Sequence, residues 1–202
     1  MPKWWALMAI AGVACSSAPP AAVGADTGIA VAETSPIDSA ETATTDSSLA
    51  AEATTVTEFV ATAADFDCIK NGTAVGHYYV ANKLGHLDAA VAVAKGGVQG
   101  STFPIGTIIR LFANEAMVKR GGIGFVATGG WEMFLLKNDG KTMTIDKRGG
   151  AEVSNTAGSC FGCHAPAKDY DYVCGADHGC APLGVTEEIV KALQSIDPNC
   201  AK

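Results

Sequence analysis

Positive charge and long apolar runs are both scarce in this 202-residue sequence. Lys and Arg number 14 against 21 Asp and Glu, which gives a formal net charge of −7 at pH 7. Nucleic-acid-binding proteins need a basic surface, so no nucleic acid is expected among the partners. After the first fifteen residues no apolar run reaches the roughly 18 positions of a spanning helix, which excludes a protein with several membrane spans.

Basic residues are missing altogether from residues 16–62, which hold seven acidic residues. This segment is rich in Ala, Thr, Ser and Pro, and Phe59 is its one aromatic residue. Such a composition buries too little apolar surface to offset the entropy lost when a chain is ordered. We therefore predict a disordered acidic linker over residues 16–62 and a folded domain over residues 63–202.

The first fifteen residues have the pattern of an export signal. Lys3 precedes an apolar run from Trp4 to Ala14, which is long enough for a signal sequence but too short for a spanning helix. The small residues before Cys15 resemble a bacterial lipoprotein processing site, so residues 1–15 are a predicted signal peptide and Cys15 is a lipidation candidate. Small residues at 23–25 offer a second cleavage site, which would leave a soluble protein. Both interpretations predict an exported bacterial protein, either periplasmic or held at a membrane as a lipoprotein.

Residues 160–164 read Cys-Phe-Gly-Cys-His, which is the C-x-x-C-H signature of c-type haem attachment. In such a site Cys160 and Cys163 form thioether bonds to the two haem vinyl groups. His164 then lies beside the iron as its axial ligand. The motif therefore predicts one covalently bound haem c, with His164 as the residue that binds its iron.

Two alternatives for the motif stay open. A zinc site could combine its two cysteines with His178 and Cys180, although that spacing is irregular and exported proteins use zinc–thiolate sites less often. A redox-active cysteine pair of the thioredoxin type would follow a strand in a βαβ pattern near the start of a domain. Here the motif lies near the C-terminus and no such pattern precedes it.

Four cysteines remain once Cys15 and the motif are set aside, and an even number in an oxidising compartment favours two disulfides. The expected pairs are Cys174–Cys180, across a loop of five residues, and Cys68–Cys200, which would tie the two ends of the domain together. Four cysteines allow three pairings, and the sequence alone does not choose among them.

No methionine follows His164, so the chain lacks the downstream axial Met of the commonest single-domain c-type cytochromes. It also lacks the four long amphipathic helices of a four-helix cytochrome. The pattern predicts a short helix over His86–Lys95, a helix bearing the haem from about Asn155, and a last helix after Thr186. It also predicts a strand over 76–80 and a four-stranded antiparallel sheet over 107–112, 116–120, 131–137 and 141–147. The predicted fold class is α+β, a mostly antiparallel sheet with a C-terminal haem-bearing helix.

Three stretches of the sequence resemble the cytochrome P-460 family, which includes the cytochromes c′-β. They are the Pro-Ile-Gly turn and strand at 103–109, the strand pair with a Gly-Gly-Trp entry at 117–131, and the motif with its trailing Lys-Asp-Tyr-Asp-Tyr-Val at 160–173. The resemblance implies a mostly antiparallel β domain with one covalent haem, a proximal His164 and an open distal site. Members of the family are often dimers, so a homodimer is a candidate state.

The enzymes of that family oxidise hydroxylamine, with a haem cross-linked to a lysine on the first long strand. The c′-β members instead bind nitric oxide or carbon monoxide. In this sequence the position that matches the lysine is Leu111, so the resemblance does not support hydroxylamine oxidation. Its neighbour Arg110 is a candidate partner for a haem propionate, since guanidinium groups bind carboxylates bidentately.

Three functions follow from these observations. The first is an exported haem protein that binds a small diatomic or nitrogen-oxide ligand, or passes electrons to a partner protein. The second is an oxidoreductase that acts on hydroxylamine or nitric oxide, for which the sequence offers no assigned catalytic residue. The third is a surface lipoprotein that uses the same fold as a binding scaffold without haem.

Overall fold

The computed structural model describes residues 57–139, 142–175 and 177–201. The predicted signal peptide with Cys15, and residues 16–56 of the predicted linker, lie outside this part of the chain. Within the described residues, no helix combines the length and the apolar character needed to cross a membrane.

A six-stranded antiparallel sheet forms the centre of the domain, and its strands are neighbours in chain order. They are β1 (Thr73–Val75), β2 (Tyr78–Asn82), β3 (Thr107–Arg110), β4 (Glu115–Lys119), β5 (Trp131–Asn138) and β6 (Met143–Gly149). The helices are α1 (Leu87–Gly96), α2 (Cys160–His164) and α3 (Glu187–Ser195). The α+β fold class is confirmed, because an antiparallel sheet and separate helices make up the domain.

The sheet is larger than the sequence predicted. The strand predicted at 76–80 is β2, which joins the sheet by pairing with β3 through Tyr79–Arg110 and Asn82–Thr107. The short strand β1 then adds to β2 through a tight turn at Gly76. The segment between β2 and β3 contains all of α1, so their pairing joins residues that are far apart in the sequence. Local sequence patterns do not indicate contacts of this kind.

The helix of the C-x-x-C-H motif begins later than predicted. Asn155 belongs to a small hairpin of β7 (Ser154–Asn155) and β8 (Gly158–Ser159), and α2 begins only at Cys160. The Ser159 hydroxyl accepts a hydrogen bond from the Gly162 amide at 3.0 Å, which caps the first turn of α2. After His164 the chain tightens into a 3₁₀ helix over Ala165–Tyr170.

Side chains alternate between the two faces of the sheet, and each face carries its own hydrophobic cluster. One face, here called the motif face, packs against α1 and against Cys160 and Phe161 of α2. Its buried residues on the sheet are Tyr78, Val80, Ile109, Met117, Trp131 and Met133. The opposite face carries Ile108, Ala116, Val118, Phe134 and Leu136, which pack against Ala61 and Phe66.

Residues 57–62 pack onto the domain, although the sequence analysis assigned them to the linker. The Arg120 guanidinium donates to the Glu58 carboxylate at 2.6 Å, and Arg148 donates to the Ala61 carbonyl at 3.0 Å. Ala61 is fully buried on the opposite face of the sheet. An ion pair and a hydrogen bond from arginines far along the chain hold this segment, and the composition of the segment does not indicate either contact.

The C-terminal segment is bonded to residues 68 and 69, near the start of the described chain. Cys200 forms a disulfide with Cys68, and the Asp197 carboxylate accepts from the Ile69 amide at 2.9 Å. Helix α3 begins after Thr186, as predicted, and buries Val190 and Gln194 against the domain. Gln194 donates to the carbonyls of His77 and Leu111, at 2.7 and 3.0 Å. The C-terminal segment is therefore part of this domain.

Candidate haem site

The C-x-x-C-H motif lies on one sheet face, not in a separate lobe. Cys160 and Phe161 pack against the hydrophobic cluster of the motif face, beside Leu111 and Leu135. The Phe161 ring also contacts the Tyr172 ring, with centroids 5.1 Å apart. The short helix α2 therefore lies between the sheet and the loop that follows it.

His164 has the hydrogen bonding expected of an axial ligand. Its Nδ1 lies 2.9 Å from the Tyr172 carbonyl oxygen. A carbonyl can only accept, so Nδ1 carries the proton and Nε2 keeps its lone pair. Burial lowers the pKa of His164, and the Tyr172 hydrogen bond opposes that effect only in part. The ring is therefore neutral near pH 7, which is the form that binds metals, and its oriented Nε2 fits a haem iron.

The two motif cysteines differ in state. Cys160 is a free, half-buried thiol whose pKa is raised, first by burial and then by the negative charge of Glu115. The Cys163 sulfur takes part in a disulfide. A haem thioether at Cys163 would therefore replace that bond, and its formation requires the thiol to be reduced first.

Glu115 is a site residue that the sequence analysis missed. It begins β4 on the motif face, accepts a hydrogen bond from Asn155 at 2.8 Å, and has its pKa raised by burial. Strand alternation could have assigned Glu115 to the same face as Met117. Its proximity to Cys160 depends on the β7–β8 hairpin, which the sequence did not predict.

The structure contains the two disulfides that the sequence predicted, Cys68–Cys200 and Cys174–Cys180. Cys174 lies beside the candidate axial ligand, with its Sγ 3.7 Å from His164 Nδ1. Because Cys180 is bonded to Cys174, it is not available for the alternative zinc site. Among the residues that the structure describes, no group of three or more His, Cys, Asp or Glu is arranged to hold a metal ion.

Arg110 does not lie where the propionate prediction requires. Its side chain is buried on the face opposite the motif, where it donates to the Asp67 carbonyl at 2.6 Å and approaches Asp197 at 3.4 Å. Its neighbour Leu111 packs on the motif face. The prediction that Arg110 pairs with a haem propionate is wrong for this geometry, because adjacent strand residues point to opposite faces.

A buried ion pair fixes the loop after α2 to the sheet. The Lys119 ammonium donates to the two Asp171 carboxylate oxygens at 2.6 and 2.7 Å, and to the Gly129 carbonyl at 2.7 Å. The Phe103 amide donates to the same carboxylate at 2.8 Å, and Trp131 Nε1 donates to the Asp171 carbonyl at 2.7 Å. The pair joins β4 to the residue directly before Tyr172.

Gly129 is required where the sheet meets this loop. Its φ is +65°, and a Cβ at this position would overlap the Tyr172 ring. Gly76 offers a matched control, because its φ is +57° and a Cβ there meets nothing within 4 Å. We expect Gly76→Ala to lower the free energy of unfolding by about 1–2 kcal/mol, the cost of a left-handed alanine.

Gly129→Ala should lower the free energy of unfolding by about 1–3 kcal/mol more than Gly76→Ala does, because it adds overpacking against Tyr172 to the same backbone strain. Urea denaturation of both variants measures the difference. Equal losses of unfolding free energy in the two variants would show that the Tyr172 ring moves aside without a cost in stability.

Comparison with known families identifies one match. A family model described as Cytochrome P-460 matches residues 76–174, which run from just before β2 to Cys174 and include the C-x-x-C-H motif. No curated protein and no solved structure matches the chain.

Proposed function

Because the chain belongs, through residues 76–174, to the cytochrome P-460 family of haem-binding proteins, we propose that it is an exported c-type cytochrome. One haem is attached through Cys160 and Cys163, and His164 is the axial ligand of its iron. The observation that carries this proposal is the hydrogen bond from His164, the last residue of the C-x-x-C-H helix, to the Tyr172 carbonyl in the loop that follows. It leaves Nε2 of His164 unprotonated, and His164 directly follows Cys163, one of the two cysteines that would form thioethers.

Each residue of the site has a defined part in this proposal. A bound haem supplies an iron centre that can take up a small ligand such as nitric oxide or exchange an electron. Cys160 and Cys163 would attach the haem covalently through thioether bonds. His164 Nε2 would bind the iron, because the Tyr172 carbonyl keeps the proton on Nδ1. Leu111 and Leu135 pack against the same hydrophobic cluster as Cys160.

Ligand binding or electron transfer is favoured over hydroxylamine oxidation. The resemblance places the cross-linking lysine of the enzymes at Leu111, which has no amine. Lys119 is on the same sheet face, but its ammonium is engaged by Asp171 at 2.6 Å and by the Gly129 carbonyl. A buried, ion-paired ammonium is a poor nucleophile, because removing its proton would leave the carboxylate without a partner.

The proposal has four further parts. They are export, a lipid anchor at Cys15, an electron-transfer partner and a homodimer. They rest on the N-terminal sequence and on the resemblance. Membrane fractionation of wild type against Cys15→Ser tests the anchor, and light scattering of the purified protein tests the dimer.

Visible spectroscopy tests the haem itself. We expect the full chain, expressed in a periplasm with c-type maturation machinery, to give a c-type pyridine adduct after denaturation. The reduced protein should respond to carbon monoxide, because the C-x-x-C-H motif would supply a single histidine to the iron. A spectrum without haem would overturn the proposal and favour the haem-free scaffold. A reduced spectrum insensitive to carbon monoxide would indicate a second protein ligand and a role in electron transfer alone.

A further inference from the structure

Two adjacent residues in the loop after α2 adopt an unfavourable backbone conformation. Asp171 has a φ of +53° and Tyr172 a φ of +61°, and neither is glycine. A non-glycine residue in this region costs about 1–3 kcal/mol and persists only where its surroundings enforce it. The effect of this conformation is local and specific, because it aims the Tyr172 carbonyl at His164 Nδ1, 2.9 Å away.

The surroundings that enforce the conformation lie on the sheet. Asp171 is only 6% exposed, and its carboxylate accepts from Lys119 at the end of β4 and from the Phe103 amide. Its own carbonyl accepts from the Trp131 indole at the start of β5. The Tyr172 amide in turn donates to the Ala167 carbonyl at 2.8 Å. Asp171 is therefore held from three sides, and Tyr172 has little freedom to rotate.

We propose that Asp171, anchored by Lys119, is a positioning residue for the axial histidine. The ion pair fixes Asp171, the residue directly before Tyr172, and so helps to hold the Tyr172 carbonyl that accepts the hydrogen bond from His164 Nδ1. A hydrogen bond from Nδ1 to a carbonyl makes the imidazole a more basic ligand and fixes the plane of its ring. The inference rests on the proposed function. In it Lys119 and Asp171 do not touch the iron but affect its reduction potential and its bond to His164 through the position of the Tyr172 carbonyl.

The test compares Asp171→Asn with a matched control in the haem-loaded full chain. Asparagine keeps the size of the side chain and an acceptor for the Phe103 amide, but it loses the charge that pairs with Lys119. The control is Glu132→Gln, a buried carboxylate on the opposite sheet face that pairs with Arg120 and Arg148. Both variants remove a buried ion pair, but only the first lies next to Tyr172.

Two properties of the iron are measured together with thermal stability. In Asp171→Asn we expect the iron–histidine stretching band of the reduced protein to move to lower frequency, and the reduction potential to become more positive. Both shifts follow from a less basic imidazole. Glu132→Gln should lower the melting temperature while leaving the band and the potential at their wild-type values.

A second variant, Lys119→Gln, covers the case in which Asp171→Asn does not fold. Glutamine can still donate to the Gly129 carbonyl, and the variant should show the same direction of shift. An unchanged band and potential in either folded variant, with stability reduced as in the control, would overturn the inference and leave the pair a structural role. Absence of haem from the wild type would instead overturn the proposed function, on which the inference depends.

Discussion

A His164→Gly variant is expected to keep its haem attached through the two cysteines but to lose the wild-type axial ligand completely. The reason is that the two cysteines would be consumed in thioether bonds, which leaves the imidazole as the group of the motif that binds iron. Added imidazole should then restore a histidine-like spectrum, because the glycine leaves space for it. Visible spectra of the reduced variant, with and without imidazole, measure the effect.

His178→Ala is the matched control. His178 lies in the neighbouring Cys174–Cys180 loop, stacks on the Tyr170 ring and has its Nδ1 2.7 Å from the Val173 carbonyl. Its loss should leave the spectrum unchanged. If His178→Ala removed the axial ligand and His164→Gly did not, the ligand assignment would have to be exchanged.

Breaking the Cys68–Cys200 disulfide is expected to have the largest effect on stability. The bond closes a loop with a sequence separation of 132 residues. On the loop-entropy model it stabilises the fold by about 5 kcal/mol, much of the stability of a typical domain. The double variant Cys68→Ser/Cys200→Ser should therefore lose about that much free energy of unfolding in urea, or fail to fold at 37 °C.

The Cys174–Cys180 disulfide provides the comparison, since its sequence separation is only 6 residues. The same model gives about 2 kcal/mol for its removal. Similar losses in the two double variants would mean that native contacts such as Asp197 to the Ile69 amide, rather than the loop length, hold the C-terminal segment in place.

The haem-attachment hypothesis could be drawn from the sequence because it depends on residues that are close in the chain. Cys160, Cys163 and His164 share one turn of helix, so their spacing alone indicates the haem site. The strands with strong β-branched and aromatic patterns were also predicted within a few residues, Trp131–Asn138 among them. Local patterns carry this information since each depends on a single element.

The environment of the site could not be predicted, because it depends on contacts between distant residues. Lys119 and Asp171 are 52 positions apart, and nothing in either local sequence marks them as partners. Arg110 was assigned to the haem because the register of β3 was unknown. A shift of one residue in a strand exchanges its two faces, so Leu111 and Arg110 could not be separated by pattern alone.

Mass spectrometry of the denatured, protease-digested full chain shows directly whether a haem is attached at the C-x-x-C-H motif. We expect one peptide that contains Cys160 and Cys163, carries the mass of a single haem, and keeps that mass after reduction of disulfides. A peptide with both cysteines unmodified after reduction, or with Cys163 recovered only as a disulfide, from protein matured in a competent periplasm would contradict this attachment.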